Sequence, residues 1–265
     1  MAADRLELRQ AAAQWLSVCD PREKAAAVRQ GIAAGGWIDP SARIAEPAPL
    51  PGRPARPTLV DPAQVPRRSP FTRDGRAALL HAVAHIEFNA INLALDAVWR
   101  FPGLPEAYYR DWLRVAGEEA LHFTLVDEHL ATLGHAYGDF DAHDGLWTMA
   151  QKTAGDLTAR MALVPRTLEA RGLDATPPMQ ARLARAGDAR AVEILAVILR
   201  DEVGHVAIGN RWYRWCCARE GLDPVAHYPL LAQRHGAPRL KPPFNLDARR
   251  AAGFDEAEIA ALPQA

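Results

Sequence analysis

Cysteine is scarce in this 265-residue sequence, and its scarcity excludes several kinds of site. The three cysteines, Cys19, Cys216 and Cys217, are too few and too unevenly spaced for a disulfide framework or a four-cysteine zinc or iron–sulfur site. They are typical of ordinary thiols in a reducing compartment. The N-terminus has no basic start followed by an apolar run, and no later segment is expected to reach the length of a membrane span. The sequence therefore predicts a cytoplasmic protein without a membrane segment.

An excess of charge of either sign is also missing. The 31 basic and 32 acidic residues give a formal net charge of -1 at pH 7. This balance gives no electrostatic reason to expect general binding to nucleic acids or to anionic membranes. The sequence does not indicate an oligomeric state.

Strand patterns are absent as well, because alternating runs rich in Val, Ile and Thr do not occur. Apolar residues instead recur at intervals of three and four, so the predicted fold class is all-α. Four long helices are predicted, and a four-helix bundle is their simplest packing. Their expected bounds are about 73–100, 105–133, 146–171 and 188–220.

Extensions are expected at both ends of this bundle. Asp20-Pro21 is a helix-start signal within residues 4–33, which predict one or two short helices. The segment from Pro40 to Pro70 contains nine prolines, counting both ends, and they exclude a persistent helix or central strand. This connector is either a flexible linker or a strap ordered against the bundle, with Leu59 and Val60 as candidate anchors.

The C-terminal extension is expected to be irregular, apart from a short helix at about 255–262 that begins at Asp255. The predicted division of the chain has three parts. These are the N-terminal helices and Pro-rich connector over 1–70, the four-helix bundle over 71–221 and the C-terminal extension over 222–265.

Two E-x-x-H pairs lie in the second and fourth predicted helices, and a glutamate lies in each of the other two. Residues three apart share a helix face, so each pair directs one carboxylate and one imidazole the same way. The spacing from Glu87 to Glu119 is 32 residues, and that from Glu169 to Glu202 is 33. A glutamate followed by E-x-x-H thus occurs in two similar helical hairpins, as expected for a bundle with an approximate two-fold axis. The predicted metal ligands are Glu87, Glu119, His122, Glu169, Glu202 and His205.

The apolar surroundings of these groups predict burial, and burial of four carboxylates requires cations. Four glutamates in one apolar interior would repel one another unless they were protonated or neutralised. Two divalent ions balance four carboxylates, and a ligand set without thiolate favours iron or manganese. Glu118 and Asp201 are candidate acceptors for the N–H groups of the ligating histidines. Spacing alone leaves Asp156 and Glu193 as weaker rivals of Glu169 for the third-helix ligand.

Several runs carry a resemblance to a known family. They are HIEFNAINLALDA, EEALHF, PRTLEARGLDATP, DEVGHVAIG and HGAPRLKPPFNLDARRAAGF. Over residues 70–254 the chain resembles an uncharacterised bacterial ferritin-like family within the di-iron carboxylate superfamily, and it is distantly similar to di-iron tRNA hydroxylases. The resemblance implies a ferritin-like four-helix bundle and favours Glu169 as the third-helix ligand. It implies no particular substrate.

The metal ligands and the resemblance together predict a di-metal oxidoreductase that uses dioxygen, of the hydroxylase type, with two iron ions or, alternatively, manganese. No glycine-rich nucleotide-binding fingerprint is present, so the electron donor would be a separate protein or a reductant. Two alternatives remain open. One is detoxification of the manganese catalase or peroxidase kind, and the other is non-enzymatic, ferritin-like iron binding.

Overall fold

The computed structural model describes residues 6–47, 49–66 and 68–263. Within them the secondary structure is helical, with isolated bridges between Glu7 and Trp37 and between Leu59 and Ala142 but no strand. The predicted all-α class is confirmed. The chain divides into two compact units, Met1–Trp147 and Thr148–Ala265.

A hairpin of two long helices forms the centre of the first unit. Helix α3 spans Arg73–Arg100 and α4 spans Glu106–Thr132, close to the predicted bounds. The Thr72 side chain accepts a hydrogen bond from the Gly75 backbone N–H and so caps α3. The connection turns at Gly103, whose φ of +80° favours glycine.

Two shorter N-terminal helices pack on this hairpin. Helix α1, Leu8–Ser17, contacts α3, and α2, Pro21–Ala34, contacts α4. The Asp20 carboxylate caps α2 by accepting the backbone N–H groups of Arg22 and Glu23, as the sequence predicts.

Helix α3 also has the length and composition of a membrane span, with a window of mean hydropathy 1.3. The expectation that no segment reaches the length of a membrane span is therefore wrong, although length and composition are the only criteria that α3 meets. However, 78% of that window is buried inside the protein. The central helix of a globular unit meets the same criteria, so this feature is weak support for a membrane segment.

The Pro-rich connector forms an ordered strap along the first unit. The Gly52 N–H donates to the Leu16 carbonyl at 2.8 Å, and the Val60 N–H donates to the Ala142 carbonyl at 2.8 Å. Arg53 also pairs with Asp144 at 2.6 Å. Of the two alternatives left by the sequence, the structure shows the strap. Backbone hydrogen bonds and the Arg53–Asp144 pair anchor the strap, whereas the Leu59 side chain is exposed and does not serve as an apolar anchor.

The predicted third helix over 146–171 is wrong in both its continuity and its end. The chain instead forms α5, Gly145–Lys152, and then α6, Leu157–Leu163, before a π-helical turn over Val164–Glu169. Helix α7 continues over Ala170–Arg185. The interruption occurs at Gly155 and Asp156, where the Asp156 side chain accepts the Ala159 N–H and starts a new helix.

Helix α7 continues past residue 171, where the predicted third helix ends, and through Pro177 and Pro178. Proline has no N–H, so Pro177 cannot bond the carbonyl of Leu173 four residues earlier. The Asn245 side-chain amide bonds that carbonyl instead, at 3.2 Å. A donor from a distant segment thus supplies a bond that local sequence cannot.

Helix α8, Ala189–Glu220, packs along α6, the π-helical turn and α7. The chain after Gly221 is less irregular than predicted, because it contains α9, Pro224–His235, and α10, Leu246–Ala251. Asp223 caps α9 and Pro224 occupies its first turn, which are standard start signals. The predicted last helix is confirmed as α11, Glu256–Ala260, and its capping box pairs Asp255 with Glu258.

Candidate metal centre

Three potential metal ligands converge in the first unit. Glu87 comes from α3, and Glu119 and His122 come from α4. One ligand atom from each lies within 4.8 Å of the other two. All three side chains are buried, with exposures of 3%, 0% and 0%. We call these residues the first half-site.

The His122 imidazole faces both carboxylates of the first half-site. Its Nδ1 atom lies 3.3 Å from Oε2 of Glu87 and 3.3 Å from Oε2 of Glu119. The i, i+3 spacing of Glu119 and His122 accounts for their common direction. Glu87 lies on α3, and the packing of α3 against α4 places it beside Glu119 and His122.

Burial makes this cluster electrostatically demanding. It raises the pKa of Glu87, and the neighbouring charge of Glu119 raises it further. Burial alone would lower the pKa of His122, but hydrogen bonds to Glu119 and Glu87 and their charges outweigh it and raise this pKa. Without a metal, Glu87 and His122 therefore keep their protons to a higher pH than they would in water. A divalent cation could take the place of these protons, so these residues fit a metal ion.

The corresponding residues in the second unit are Glu169, Glu202 and His205, which we call the second half-site. All three are buried. On α8, Oε2 of Glu202 lies 3.9 Å from Nδ1 of His205. A Cβ atom built on Gly172 would lie 3.9 Å from Cγ and Cδ of Glu202, so this side chain lies over the start of α7. Among the residues that the structure describes, Glu169 belongs to no ligand group within 4.8 Å.

Glu169 is the last residue of the π-helical turn over Val164–Glu169, which we call the π segment. Single π-helical turns inside helices are often found at functional sites. The Thr167 hydroxyl donates to the Ala162 carbonyl, five residues earlier, at 2.7 Å. Gly209 of α8 permits a close approach, because an added Cβ would lie 2.6 Å from Cβ of Pro165. The π segment is therefore packed tightly against α8.

The two rivals of Glu169 have other roles in the structure. Asp156 caps α6, and Glu193 is an exposed residue that pairs with Arg190 at 3.0 Å. Neither occupies a buried ligand position comparable to that of Glu169. This placement favours Glu169 as the third-helix candidate.

The two proposed histidine acceptors are half-buried and contact arginines on their own helices. Glu118 lies 2.9 Å from Arg114, and Asp201 lies 2.8 Å from Arg200. Their predicted histidine partners belong to the opposite half of the sequence repeat, and those contacts stay a prediction.

The buried Arg166 within the π segment was not predicted from the sequence. Its side chain contacts residues of α8 and of the C-terminal tail. Pro165 and the pair Pro177-Pro178 indicate that this region needs outside hydrogen-bond donors, because each proline leaves a carbonyl without its helical partner. They do not indicate Arg166, whose partners are the side chains of Asn210 and Glu258. Sequence alone did not identify which residues supply those contacts.

Comparisons with known proteins support an uncharacterised family, and they do not show ferritin-like or di-iron membership. The sequence is 55% identical over 213 residues to a protein of Haemophilus influenzae (strain ATCC 51907 / DSM 11121 / KW20 / Rd) described as "Uncharacterized protein". The alignment covers 78% of this chain and 74% of that protein. No solved structure matches the chain. Residues 17–260 match the profile of a family described as "Protein of unknown function (DUF455)". The chain therefore belongs to the DUF455 family.

Proposed function

We propose that this protein binds two transition-metal ions, primarily iron, one at each half-site of a ferritin-like four-helix bundle. The observation that carries the proposal is the buried cluster of Glu87, Glu119 and His122. Its two carboxylates and one imidazole match the ligands that iron and manganese prefer. The second half-site has the same composition at offsets of 82 and 83 residues along the sequence.

Charge balance supports two ions over one. Each half-site contributes two carboxylates and one imidazole, so a divalent ion neutralises the carboxylates of its half-site. A single ion would leave two buried carboxylates uncompensated, at a cost of several kcal/mol. The histidines would complete the two coordination shells through Nδ1, the atom that each turns toward its glutamate.

We further propose that the reaction is an O₂-dependent oxidation of the hydroxylase type. A pair of iron ions would supply the electrons that reduce dioxygen. The chain would hold the ions through its glutamates and histidines and exclude water with apolar side chains. In the first unit, Phe88 and Phe123 follow Glu87 and His122 directly in sequence, are buried and contact each other at 5.8 Å between ring centroids. The substrate and the electron donor would be separate molecules.

Metal content tests this proposal directly. The wild-type protein, loaded with Fe(II) without oxygen, is expected to retain two ions per chain by elemental analysis. His122→Ala and His205→Ala should each retain about one ion, because each removes a ligand from one half-site. His129→Ala is the matched control on α4, since it changes a half-buried histidine outside both half-sites and should leave two ions. A wild-type protein holding one tightly bound zinc, or no metal, would contradict the proposal.

Oxygen consumption tests the reaction separately from metal binding. The iron-loaded protein should consume O₂ when a reductant is supplied, and the His122→Ala and His205→Ala variants should consume it more slowly. A fully loaded protein that never consumes O₂ would favour non-enzymatic iron binding instead.

The third-helix ligand provides a second prediction. Glu169→Gln should lower metal occupancy, because it removes a buried carboxylate. Glu193→Gln is the exposed control, and Asp156→Asn should also retain metal because asparagine caps a helix as well as aspartate does. Elemental analysis of the three variants decides between them. Loss of metal in Glu193→Gln alone would show that Glu169 is the wrong residue.

A further inference from the structure

The π segment is held by a buried arginine. The Arg166 Nε donates to Oδ1 of Asn210 on α8 at 2.9 Å, and its NH2 group donates to Oε1 of Glu258 on α11. The guanidinium also lies 4.9 to 5.0 Å from three aromatic ring centroids, a distance typical of cation–π contacts. These rings belong to Tyr213, Tyr228 and Phe254.

Glu258 connects this arginine to the C-terminal tail, residues 245–260. Its second carboxylate oxygen accepts a hydrogen bond from Arg214, which also donates to the Gly253 carbonyl at 2.7 Å. The same carboxylate accepts the Asp255 N–H in the capping box of α11. Breaking the buried Arg166–Glu258 pair would leave an uncompensated charge, so Arg166 depends on Glu258, whereas Arg214 is half-buried.

The tail also contacts the helix that follows Glu169. The buried Arg249 donates to both carboxylate oxygens of Asp174, at 3.1 and 2.6 Å. The Asn245 N–H donates to Oδ1 of Asp174 at 2.8 Å, and the Asn245 side chain bonds the Leu173 carbonyl that Pro177 cannot reach. The tail thus holds the chain three residues before Glu169 and four to five residues after it.

We propose that the C-terminal tail positions Glu169 for metal binding by fixing the π segment, with Glu258 and Arg249 as positioning residues. This inference rests on the proposed metal site. A π-helical turn closes its hydrogen bonds over one residue more than an α-helical turn does. Its conversion to an α-helix would therefore turn each later residue by about one residue position, roughly 100° around the helix axis. Contacts on both sides of Glu169 prevent that rotation. The long C-terminal extension therefore belongs to the second half-site.

Glu258→Gln in the full-length protein tests the inference. Glutamine keeps the size of the side chain but removes the charge that holds Arg166 and Arg214. An anaerobic Co(II) titration should show wild-type affinity at the first half-site and an affinity at least about tenfold lower at the second, as is common when groups supporting a metal ligand are removed. The absorption band lost in His205→Ala identifies the second half-site. A changed band in the folded variant reports altered coordination, which a general loss of stability would not produce.

Glu256→Gln is the matched control, because Glu256 lies on the same helix but is exposed and pairs with Arg250. It should bind both ions normally. Phe254→Leu provides a second test should Glu258→Gln fail to fold: it removes one ring beside Arg166 and leaves the ion pair. Phe254→Leu should lower the Co(II) affinity of the second half-site alone, by a smaller factor than Glu258→Gln does.

Three results would overturn the inference. They are unchanged binding of both ions in folded Glu258→Gln or Phe254→Leu, equal weakening of both half-sites, or a comparable loss in Glu256→Gln. Failure of the wild-type protein to bind two ions would instead reject the underlying metal site, so the two failures are distinguishable.

Discussion

Without metal, the cluster of Glu87, Glu119 and His122 is expected to destabilise the folded protein increasingly as the pH rises from about 4.5 to about 8, and divalent ions are expected to reverse this effect. Burial and the charge of Glu119 raise the folded-state pKa of Glu87 above its ordinary value of 4.5. The folded chain then retains a proton that the unfolded chain releases, so the free energy of unfolding falls between these two pKa values. His122 acts in the same direction, because its folded pKa is raised above 6.5. Each unit of difference corresponds to about 1.4 kcal/mol.

Glu87→Gln isolates this effect from the rest of the titration. Burial lowers the pKa of His85 to about 4 and that of Lys24 to about 7, so these groups favour folding as the pH rises. Their contributions are present in both proteins and cancel in the comparison. The Tm of the metal-free variant should therefore exceed that of the metal-free wild type by a margin that grows with pH.

Thermal melts in a chelator, followed by circular dichroism at several pH values, measure this margin. Added Mn(II) should raise the Tm of the wild type more than that of the variant, because the variant lacks one ligand. Parallel Tm curves with no response to metal would show that Glu87 does not lie in a repulsive buried cluster.

Arg9→Met is expected to lower the free energy of unfolding by about 3 kcal/mol or more, because each buried acceptor left without a partner costs roughly 1 to 3 kcal/mol. Arg9 is fully buried and its guanidinium stacks over Tyr109 at 4.7 Å. It donates to the last carbonyls of α3 and to the chain leading into the strap, and methionine would leave these carbonyls without that donor. The acceptors are the carbonyls of Asp39, Pro40, Ala42, Val98 and Trp99, at 2.8 to 3.2 Å.

Arg110→Met is the matched control, because Arg110 is exposed and pairs only across one helical turn with Glu106 among the contacts described. Exposed pairs of this kind contribute about 0.3 to 0.5 kcal/mol. Urea denaturation followed by tryptophan fluorescence measures both variants. A loss of less than about 1 kcal/mol in Arg9→Met would show that water or neighbouring groups satisfy the five carbonyls.

Local patterns predicted some elements well and failed at others for a physical reason. Helices α3, α4 and α8 were predicted at nearly their observed bounds, because their apolar periodicity and flanking cap residues are local signals. The segment from Gly145 to Arg185 was predicted wrongly. Asp156 restarts the helix there, and Asn245, whose position is 68 residues beyond Pro177, lets it continue past two prolines.

The sequence by itself determined the all-α class, the two E-x-x-H pairs and the repeat that pairs each with a distant glutamate, since helical periodicity and residue spacing are local. Only the tertiary structure decided that Glu87 reaches Glu119 and His122, that the Pro-rich connector is an ordered strap and that the tail holds the π segment. These features depend on hydrogen bonds and ion pairs between residues far apart in the chain, as between Arg166 and Glu258. No local pattern identifies such partners, because any buried arginine has several possible acceptors and packing selects among them.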